Sequence, residues 1–179
     1  MKNTDAKPLE RPSEKRLDEV GRINEALRRD AAARIAADEH IYHDAVRGFA
    51  ETVVRRAPGV KGNQIIMLAG PTSSGKTTTA RILRDMLAHR GVRAETVSLD
   101  DFYLRPDCMP RPENGRPDFE SIHALDLPCM HACFLNLLEK GEADMPRFDF
   151  QAAARAAEPI HIKLAPGDVA IVEGLHALN

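Results

Sequence analysis

One stretch of the sequence combines glycine, lysine and hydroxyl side chains at a spacing suited to holding phosphate groups. Residues 70–78 read GPTSSGKTT, which fits the pattern G-x-x-x-x-G-K-[ST] of a phosphate-binding loop. The glycines allow a tight turn in which successive backbone N–H groups point inward at phosphate oxygens. The predicted nucleotide-binding residues are Gly70, Ser73, Ser74, Gly75, Lys76, Thr77 and Thr78.

Two side chains of this loop have chemistry of their own. Lys76 can reach the β- and γ-phosphates of a nucleoside triphosphate as a point charge, and the Thr77 hydroxyl is placed to ligate Mg²⁺. The helix that follows adds the partial positive charge of its N-terminus. We therefore expect ATP or GTP as the phosphate donor, together with Mg²⁺. The alternative is a glycine-rich turn that precedes a helix and binds nothing.

Three carboxylates follow predicted strands and could act on a bound nucleotide. Asp100 and Asp101 end one predicted strand, and Glu173 ends another. Either aspartate could be a general base for a hydroxyl nucleophile, or a magnesium ligand. Glu173 has the position of a Walker B carboxylate, which binds Mg²⁺ directly or through water. The alternative for the aspartate pair is a helix cap or a turn, where Asp is common.

These side chains need strands that end at one edge of a sheet. Apolar runs at 64–69 and 169–173 predict strands buried on both faces, and a third strand is predicted at 94–99. Ligands of open parallel α/β sheets bind beyond the carboxyl ends of the strands. The helix after the loop has one apolar face and ends near Gly91. The sequence therefore predicts an α/β fold, a P-loop NTPase-type parallel sheet flanked by helices in three layers (α/β/α).

The region between the second and third strands contains loop, helix and strand patterns. Residues 104–118 are rich in proline and predict a loop that covers a substrate. Asp126 predicts the cap of a helix that ends at Gly141, and alternation over 160–164 predicts a half-exposed strand. The predicted buried face of the helix consists of Met130, Phe134, Leu137 and Leu138.

Length, charge and composition limit the classes of protein. The chain has 179 residues, of which 43% are hydrophobic, and a formal net charge of −2. This composition rules out a wholly disordered chain and gives no general electrostatic reason to bind nucleic acid. No apolar run reaches the ~18–20 residues of a membrane span, and no secretory leader is recognisable. We expect a cytoplasmic protein that binds neither nucleic acid nor a membrane.

The three cysteines are expected to be reduced thiols, because their number is odd and no export signal precedes them. Cys129, His131 and Cys133 also suggest a metal site. However, His131 is two residues from each cysteine and so lies on another face of the predicted helix. We therefore expect no metal at these residues.

The N-terminal third is denser in charge than the rest and predicts a helical segment that precedes the sheet. Residues 1–12 are predicted to be a flexible lead, 13–60 an amphipathic helical segment, and 61–179 the P-loop core. One apolar stripe covers 17–35 and a second covers 41–53, so two helices are expected. They either pack on the core or form a hairpin that binds another protein.

Taken together, six segments resemble the uridine kinase and phosphoribulokinase family of P-loop kinases. They occur in the family's order and at family-like intervals, from about residue 64 to residue 179. This order makes the resemblance more specific than the loop alone. The matching segments are GPTSSGKTT (70–78), SLDDFYL (98–104), PRPENGRPDFE (110–120), ALDLP (124–128), PRFDF (146–150) and DVAIVEGLHALN (168–179).

The resemblance implies transfer of the ATP or GTP γ-phosphate to the 5′-hydroxyl of a pyrimidine ribonucleoside, uridine or cytidine. Asp100 matches the family's catalytic aspartate, and Lys76 and Glu173 are the other expected catalytic residues. Thr77 and Glu173 are the expected metal ligands. The expected partners are a small-molecule nucleoside and a nucleoside triphosphate. The expected substrate-binding residues are Tyr103, Glu120, Phe148 and Arg155.

Two positions depart from the nucleoside kinase pattern. Phe148 stands where uridine–cytidine kinases have a base-contacting tyrosine, and Ala153 stands where they have a base-contacting histidine. Both changes remove hydrogen-bonding groups, so the choice of acceptor stays open. One alternative is a phosphoribulokinase-like or pantothenate kinase-like enzyme. Another is a fragment that binds nucleotide without turnover.

Family members continue past the EGLHALN segment into further strands and an arginine-bearing lid. This chain predicts three core strands, whereas a doubly wound sheet normally has about five. Four arginines lie in substrate-side loops and are not expected to replace a lid: Arg105, Arg111, Arg116 and Arg155. We therefore expect the 179 residues alone to turn over slowly, and an apolar sheet edge to favour a homo-oligomer.

Overall fold

The computed structural model describes residues 19–57, 62–113 and 115–178. The predicted lead at 1–12 and the helix break at 58–59 lie outside the described residues. Short 3-10 turns occur at Leu99–Phe102 and Ile122–Ala124. In chain order the helices and strands are α1 (Val20–Arg56), β1 (Gln64–Ala69), α2 (Lys76–Ala88), β2 (Ala94–Ser98), α3 (Leu127–Lys140), β3 (Glu142–Met145), β4 (Phe148–Asp149), β5 (Ala154–Arg155), β6 (Ile160–Lys163) and β7 (Val169–Gly174).

The central sheet consists of three parallel strands in the order β1-β7-β2. The register places Glu173 of β7 between Leu68 of β1 and Ser98 of β2. All three strands therefore end at the same edge, as the sequence predicts. The phosphate-binding loop and the Leu99–Phe102 turn both start from that edge.

The sheet is covered on both faces because β7 alternates its side chains between two apolar clusters. Val169 and Ile171 belong to the cluster that contains the buried face of α2. Ala170 and Val172 belong to the cluster that contains Leu137 of α3. All six residues of β7 are buried. This confirms the three layers of the predicted fold.

β1 is less buried than its continuous apolar sequence predicts. Among the described residues it pairs with β7 alone, and Met67 at its middle is 44% exposed. The prediction of a strand buried on both faces is therefore wrong for β1 and right for β7. The physical reason is position, because a strand at a sheet edge has neighbours on one side and a central strand has them on both.

α3 begins and ends at the residues that the sequence predicts. Asp126 caps it by accepting a hydrogen bond from the Cys129 amide at 3.1 Å. Gly141 ends it in the left-handed conformation, with φ of 75°. The predicted buried face is wrong at Leu138, which is 50% exposed. The apolar stripe that meets the sheet runs through Cys133 instead.

Two small antiparallel sheets lie between α3 and β7 in the chain. β3 pairs with β6, and β4 pairs with β5. The strand predicted at 160–164 is present as β6, with Ile162 and Leu164 buried and His161 and Lys163 exposed, but the predicted alternation is wrong at Ile160, which is 43% exposed. β3 was not predicted, because its sequence EADM contains two acids and no β-branched residue.

The chain falls into two compact units, Met1–Ala45 and Val46–Asn179. The described part of the first unit is helical except at Asp30, whose extended φ of −161° interrupts α1. The Asp30 carboxylate accepts a hydrogen bond from the Ala33 amide at 2.9 Å and so caps the helix that follows. Two helical stretches are therefore present, but they divide at Asp30 and not between the two predicted stripes.

In the second unit, the last turns of α1 form part of the core. Val46, Ala50 and Val53 are buried in one cluster with Leu87 of α2 and Ile171 of β7. The sequence left two alternatives for the helical segment, packing on the core or binding another protein, and these last turns of α1 pack on the core. The boundary at residue 60 stays a prediction. No helix of the described residues is both long and apolar enough to cross a membrane.

Candidate active site

The phosphate-binding loop has the backbone conformation that its sequence predicts. Ser73 and Gly75 have positive φ angles of 61° and 83°. A Cβ on Gly70 would lie 2.8 Å from Ser74 Oγ, so any side chain there would displace Ser74. Gly75 is the N-cap of α2 and provides no side-chain hydrogen bond. The first amides of α2 therefore lack a side-chain cap, which is the setting in which a helix N-terminus binds an anion.

The other predicted nucleotide-binding residues lie along the same loop. Lys76 Nζ donates a hydrogen bond to the Pro71 carbonyl at 3.0 Å, which keeps the ammonium group beside the loop. Ser73, Ser74 and Thr78 are exposed, so their hydroxyls are accessible to a ligand. Their individual contacts with phosphate stay predictions.

Thr77 and Glu173 meet at the sheet edge although 96 residues separate them. The Thr77 hydroxyl donates a hydrogen bond to Glu173 Oε1 at 3.1 Å. Glu173 is 7% exposed and is the one buried charged residue in the described part of the chain. A hydroxyl and a carboxylate supply the oxygen donors that Mg²⁺ prefers. This pair therefore fits a magnesium ion bound together with nucleotide phosphates.

Asp100 lies at the same edge, on the Leu99–Phe102 turn. Its amide donates a hydrogen bond to Ser98 Oγ at 3.4 Å, and this bond caps the turn. Burial raises the pKa of the Asp100 carboxyl, the charge of Glu173 raises it further, and the charge of Lys76 lowers it. The charges of the other two predicted catalytic residues thus act on the pKa of Asp100. A raised pKa suits a carboxylate that must accept a proton.

Asp101 follows directly but makes a different contact. Its Oδ1 accepts a hydrogen bond from the Phe148 amide at 3.0 Å. Burial raises the pKa of Asp101, while this hydrogen bond and the charge of Arg147 lower it. The structure thus distinguishes two aspartates that the residue pattern alone leaves equivalent.

Four aromatic rings, called here the aromatic cluster, lie beside the aspartate pair. Ring centroids are separated from that of Tyr103 by 5.3 Å for Phe119, 5.9 Å for Phe148 and 6.3 Å for Phe150, all edge-to-face. The Tyr103 hydroxyl donates a hydrogen bond to the Phe119 carbonyl at 3.0 Å. Burial, followed by the charges of Asp100 and Glu120, raises the pKa of Tyr103 to about 12.

The structure brings together some of the predicted substrate-binding residues. Tyr103 and Phe148 belong to the aromatic cluster, and Glu120 is near enough to act on the pKa of Tyr103. Arg155 is engaged elsewhere, because it donates a hydrogen bond to Asp126 Oδ2 at 3.0 Å. Its guanidinium therefore stabilises the start of α3, and a contact with substrate stays a prediction.

Sequence reasoning missed Phe119 and Phe150 as members of the aromatic cluster. Each lies in a segment that carries the family resemblance, PDFE for Phe119 and RFDF for Phe150. An aromatic residue next to an acid in two separate segments was the available signal. Half of the eight Phe and Tyr residues of the chain meet in this cluster, which marks it as a specialised surface.

A cavity of about 620 Å³ opens beside Thr77 and Glu173. Its wall includes Asp101 and two arginines of α2, Arg81 and Arg84. The arginines are three residues apart and therefore share one face of the helix. Sequence reasoning missed them because an arginine in an amphipathic helix normally faces solvent. Their spacing directly after the phosphate-binding loop was the available signal.

The proline-rich loop at 104–118 is held by its own contacts. Arg111 donates hydrogen bonds to the carbonyls of Pro106 and Gly115 at 3.2 and 2.8 Å. Arg105 pairs at 3.1 Å with the aspartate two residues further along. Both arginines thus stabilise the loop itself. Within the described ranges, no group of three or more His, Cys, Asp or Glu side chains forms a metal-binding cluster.

The strand–loop–helix at the sheet edge, with a buried carboxylate on the neighbouring strand, defines a P-loop nucleotide-binding protein. The family model of the Phosphoribulokinase / Uridine kinase family matches residues 65–179, well over half of the chain. The chain belongs to this family.

Curated relatives agree with this assignment. The uridine kinase of Lactobacillus helveticus is 30% identical over 114 residues, which cover 64% of this chain and 53% of the relative. The uridine kinase of Halobacterium salinarum is also 30% identical over 114 residues, covering 64% of this chain and 48% of the relative. The chain thus spans about half the length of the curated relatives it matches.

Solved structures share the fold. A candidate fructose transport system kinase from Silicibacter sp. TM1040 has a TM-score of 0.62 and 26% identity, covering 72% of this chain and 62% of that chain. D-glycerate 3-kinase from Cryptococcus neoformans has a TM-score of 0.53 and 25% identity, covering 75% and 52%. A candidate uridine kinase from Bacillus stearothermophilus has a TM-score of 0.58 at 19% identity, covering 75% and 74%, a likeness of fold alone.

Proposed function

We propose that the protein to which this chain belongs is a kinase that transfers the γ-phosphate of ATP or GTP to the 5′-hydroxyl of a pyrimidine ribonucleoside, uridine or cytidine. The observation that carries the proposal is the meeting of Thr77 with Glu173 beside Asp100 and the aromatic cluster. Phosphate-binding and hydroxyl-activating groups thereby adjoin a surface suited to a planar base. The curated relatives that carry the name uridine kinase support the same acceptor.

Each group has a role in this proposal. The loop amides and Lys76 would bind the triphosphate, and Thr77 and Glu173, which already lie together, would hold Mg²⁺. The metal would neutralise charge on the phosphate oxygens. Asp100 accepts the proton of the attacking hydroxyl. Phosphoryl transfer asks a protein mainly for positioning and charge stabilisation, and these residues supply both at one sheet edge.

The aromatic cluster is the proposed contact for the nucleobase. Phe119 and Phe150 are 40% and 62% exposed, so their rings have surface left for a planar ligand. Glu120 is the proposed acceptor for hydrogen bonds from the ribose hydroxyls. Because Phe148 has no hydroxyl and Ala153 has no imidazole, the base would be held by packing more than by hydrogen bonds.

The cavity along α2 supports a second candidate, a kinase whose acceptor carries an anionic group, as in phosphoribulokinase-like or pantothenate kinase-like enzymes. At about 1.5 Å of rise per residue, Arg81 and Arg84 lie about 6 and about 10 Å beyond Thr77 along α2. The same cavity is lined by Asp101 and Glu173, so an acceptor bound there would lie between these carboxylates and the arginines. Arginine is the side chain best suited to carboxylate and phosphate groups.

A phosphorylation assay over a panel of acceptors tests the proposal. The panel contains uridine, cytidine, purine nucleosides, a pentulose phosphate and pantothenate, each with ATP and with GTP. We expect the highest kcat/KM for uridine or cytidine, and no change of that preference in Arg81→Ala. A preference for an anionic acceptor that Arg81→Ala abolishes supports the second candidate. Tight Mg-ATP binding with no acceptor phosphorylated supports a nucleotide-binding module without turnover.

A further inference from the structure

The hydrogen bond between Asp101 and the Phe148 amide joins two parts of the site that are 47 residues apart. Asp101 belongs to the Leu99–Phe102 turn, which directly follows β2 of the central sheet. Phe148 begins β4, which belongs to a separate two-stranded sheet. The bond therefore attaches a small peripheral element to the rigid edge that carries Asp100.

The attached element is the hairpin of β4 and β5, residues 148–155. It has only two residue pairs, Phe148 with Arg155 and Asp149 with Ala154. A hairpin of this size is not stable in water by itself. Its position must therefore come from contacts outside it. Its described polar tethers are the Asp101 bond at 3.0 Å and the Arg155–Asp126 ion pair at 3.0 Å, and the rings of Phe148 and Phe150 also pack against Tyr103.

The two tethers differ in strength. The Arg155–Asp126 pair is partly exposed, with 41% and 25% of the side chains accessible to solvent. Pairs of this kind contribute little because water screens them. The Asp101 bond is partly buried and has a charged acceptor, which makes it the stronger kind of hydrogen bond. Loss of the Asp101 carboxylate should therefore free the hairpin more than loss of Arg155.

The hairpin carries half of the aromatic cluster. The rings of Phe148 and Phe150 lie 5.1 Å apart and both contact Tyr103. Tyr103 is two residues beyond Asp101, so one short segment carries the proposed base Asp100, the tether Asp101 and the central ring of the cluster. Moving the hairpin would change the distance between the aromatic wall and the reacting hydroxyl.

We propose that Asp101 is a positioning residue that holds the β4–β5 hairpin, and with it Phe148 and Phe150, at a fixed place relative to Asp100. It acts on the binding of the acceptor and not on the transfer step. The assignment to acceptor binding rests on the proposed function, since it requires that an acceptor be phosphorylated beside Asp100. The assignment as a tether rests on geometry alone.

The test compares three variants of the full chain. Asp101→Ala removes the acceptor atom, whereas Asp101→Asn keeps an oxygen that can accept from the Phe148 amide. Asp144→Ala is the matched control, because it removes an exposed carboxylate of β3 that pairs with His161 outside the site. Two properties are measured for each, the KM and kcat for the best acceptor and the amide hydrogen exchange of residues 148–155 by mass spectrometry.

Asp101→Ala should raise the acceptor KM about tenfold or more, the range expected for losing a hydrogen bond to a charged group. Its kcat and its KM for ATP should stay within about twofold of the wild-type values. Exchange at 148–155 should become faster. Asp101→Asn should recover most of the affinity and the protection, and Asp144→Ala should match the wild type in both. A fall in kcat at unchanged acceptor KM would overturn the proposal.

The exchange measurement separates this proposal from the proposed function. If the wild type phosphorylates no acceptor, the proposed function fails, and exchange alone decides whether Asp101 is a tether. Unchanged protection of residues 148–155 in Asp101→Ala then overturns it. If Asp101→Ala does not fold, Asp101→Ser replaces it, since its hydroxyl keeps a polar group in the half-buried site but falls short of the Phe148 amide.

Discussion

The phosphate-binding edge comes from one continuous strand, loop and helix, to which β7 adds Glu173, whereas the aromatic cluster draws its four rings from three separate segments. The edge is anchored in a sheet whose central strand β7 is completely buried. The cluster combines the packing of its rings, of which Phe148 is buried, with single hydrogen bonds from the Phe148 amide to Asp101 and from the Tyr103 hydroxyl to the Phe119 carbonyl. The first region is therefore held by a continuous apolar core, and the second by ring packing together with a few hydrogen bonds.

Because the two regions are held differently, we expect substitutions in them to have different effects. Changes on the acceptor side can alter which molecule is bound without disturbing the loop or the Thr77–Glu173 pair. Under the proposed function, changes at the phosphate-binding edge should affect every acceptor. Phe148 and Ala153, the two positions that depart from the nucleoside kinase pattern, both lie outside the phosphate-binding loop.

The largest expected effect is on kcat and comes from Asp100, which lies between the phosphate-binding edge and the aromatic cluster. Asp100→Asn should lower kcat by about 10²–10⁴-fold, because it removes the proposed general base. Mg-ATP affinity should change little, since the loop does not depend on this carboxylate. Steady-state rates and calorimetry measure the two properties. A larger loss of kcat in Asp101→Asn than in Asp100→Asn would show that the base is the other member of the pair.

A smaller effect is expected from Lys76→Ala, which tests the phosphate-binding edge alone. Losing a charged hydrogen-bond donor should weaken Mg-ATP binding about tenfold or more, measured by calorimetry. Lys163→Ala is the matched control, because that lysine is exposed on β6 and pairs with Glu142. Equal affinity of the parent and Lys76→Ala would mean that the loop does not bind the nucleotide.

The next prediction concerns the free energy of unfolding, which burial of the charged Asp100 carboxylate lowers at neutral pH. The pKa of Asp100 is raised above its ordinary value of 3.8, mainly by burial. The folded state therefore binds this proton more tightly than the unfolded state, and the resulting stability is lost as pH rises through the raised pKa. Asp100→Asn should be more stable than the wild type at pH 7, with the difference disappearing below about pH 3.8.

Thermal unfolding at a series of pH values measures this difference. The same titration should appear in kcat/KM, which should fall as the pH drops through the raised pKa and Asp100 becomes protonated. If Asp100→Asn is less stable than the wild type at every pH, the carboxylate is a structural contact and not a strained functional group.

The smallest effect is expected from Arg155→Ala, the weaker tether of the hairpin. The free energy of unfolding should fall by about 1 kcal/mol or less, because the ion pair with Asp126 is partly exposed. The acceptor KM should change by less than in Asp101→Ala. A larger rise in acceptor KM for Arg155→Ala would reverse the ranking of the two tethers and support a direct contact between Arg155 and the substrate.

Several local features of the fold could be predicted because each has a nearby cause. Asp126 and Gly141 mark the ends of α3 through a side-chain cap and a left-handed backbone, both visible in the residue type. The burial predictions that were wrong concern residues whose exposure depends on neighbours distant in the sequence. Met67 is exposed because β1 has a partner on one side, and Leu138 is exposed because the sheet meets another stripe of α3.

The sequence by itself determined the phosphate-binding loop, because its glycines, lysine and threonine lie within eight residues and the strand and helix around them follow from short apolar patterns. Only the tertiary structure decided the acceptor side. The contacts from Asp101 to Phe148 and from Tyr103 to Phe119 join residues 47 and 16 positions apart. Which distant amide or ring a side chain meets depends on how separate elements pack, and no local pattern encodes that packing.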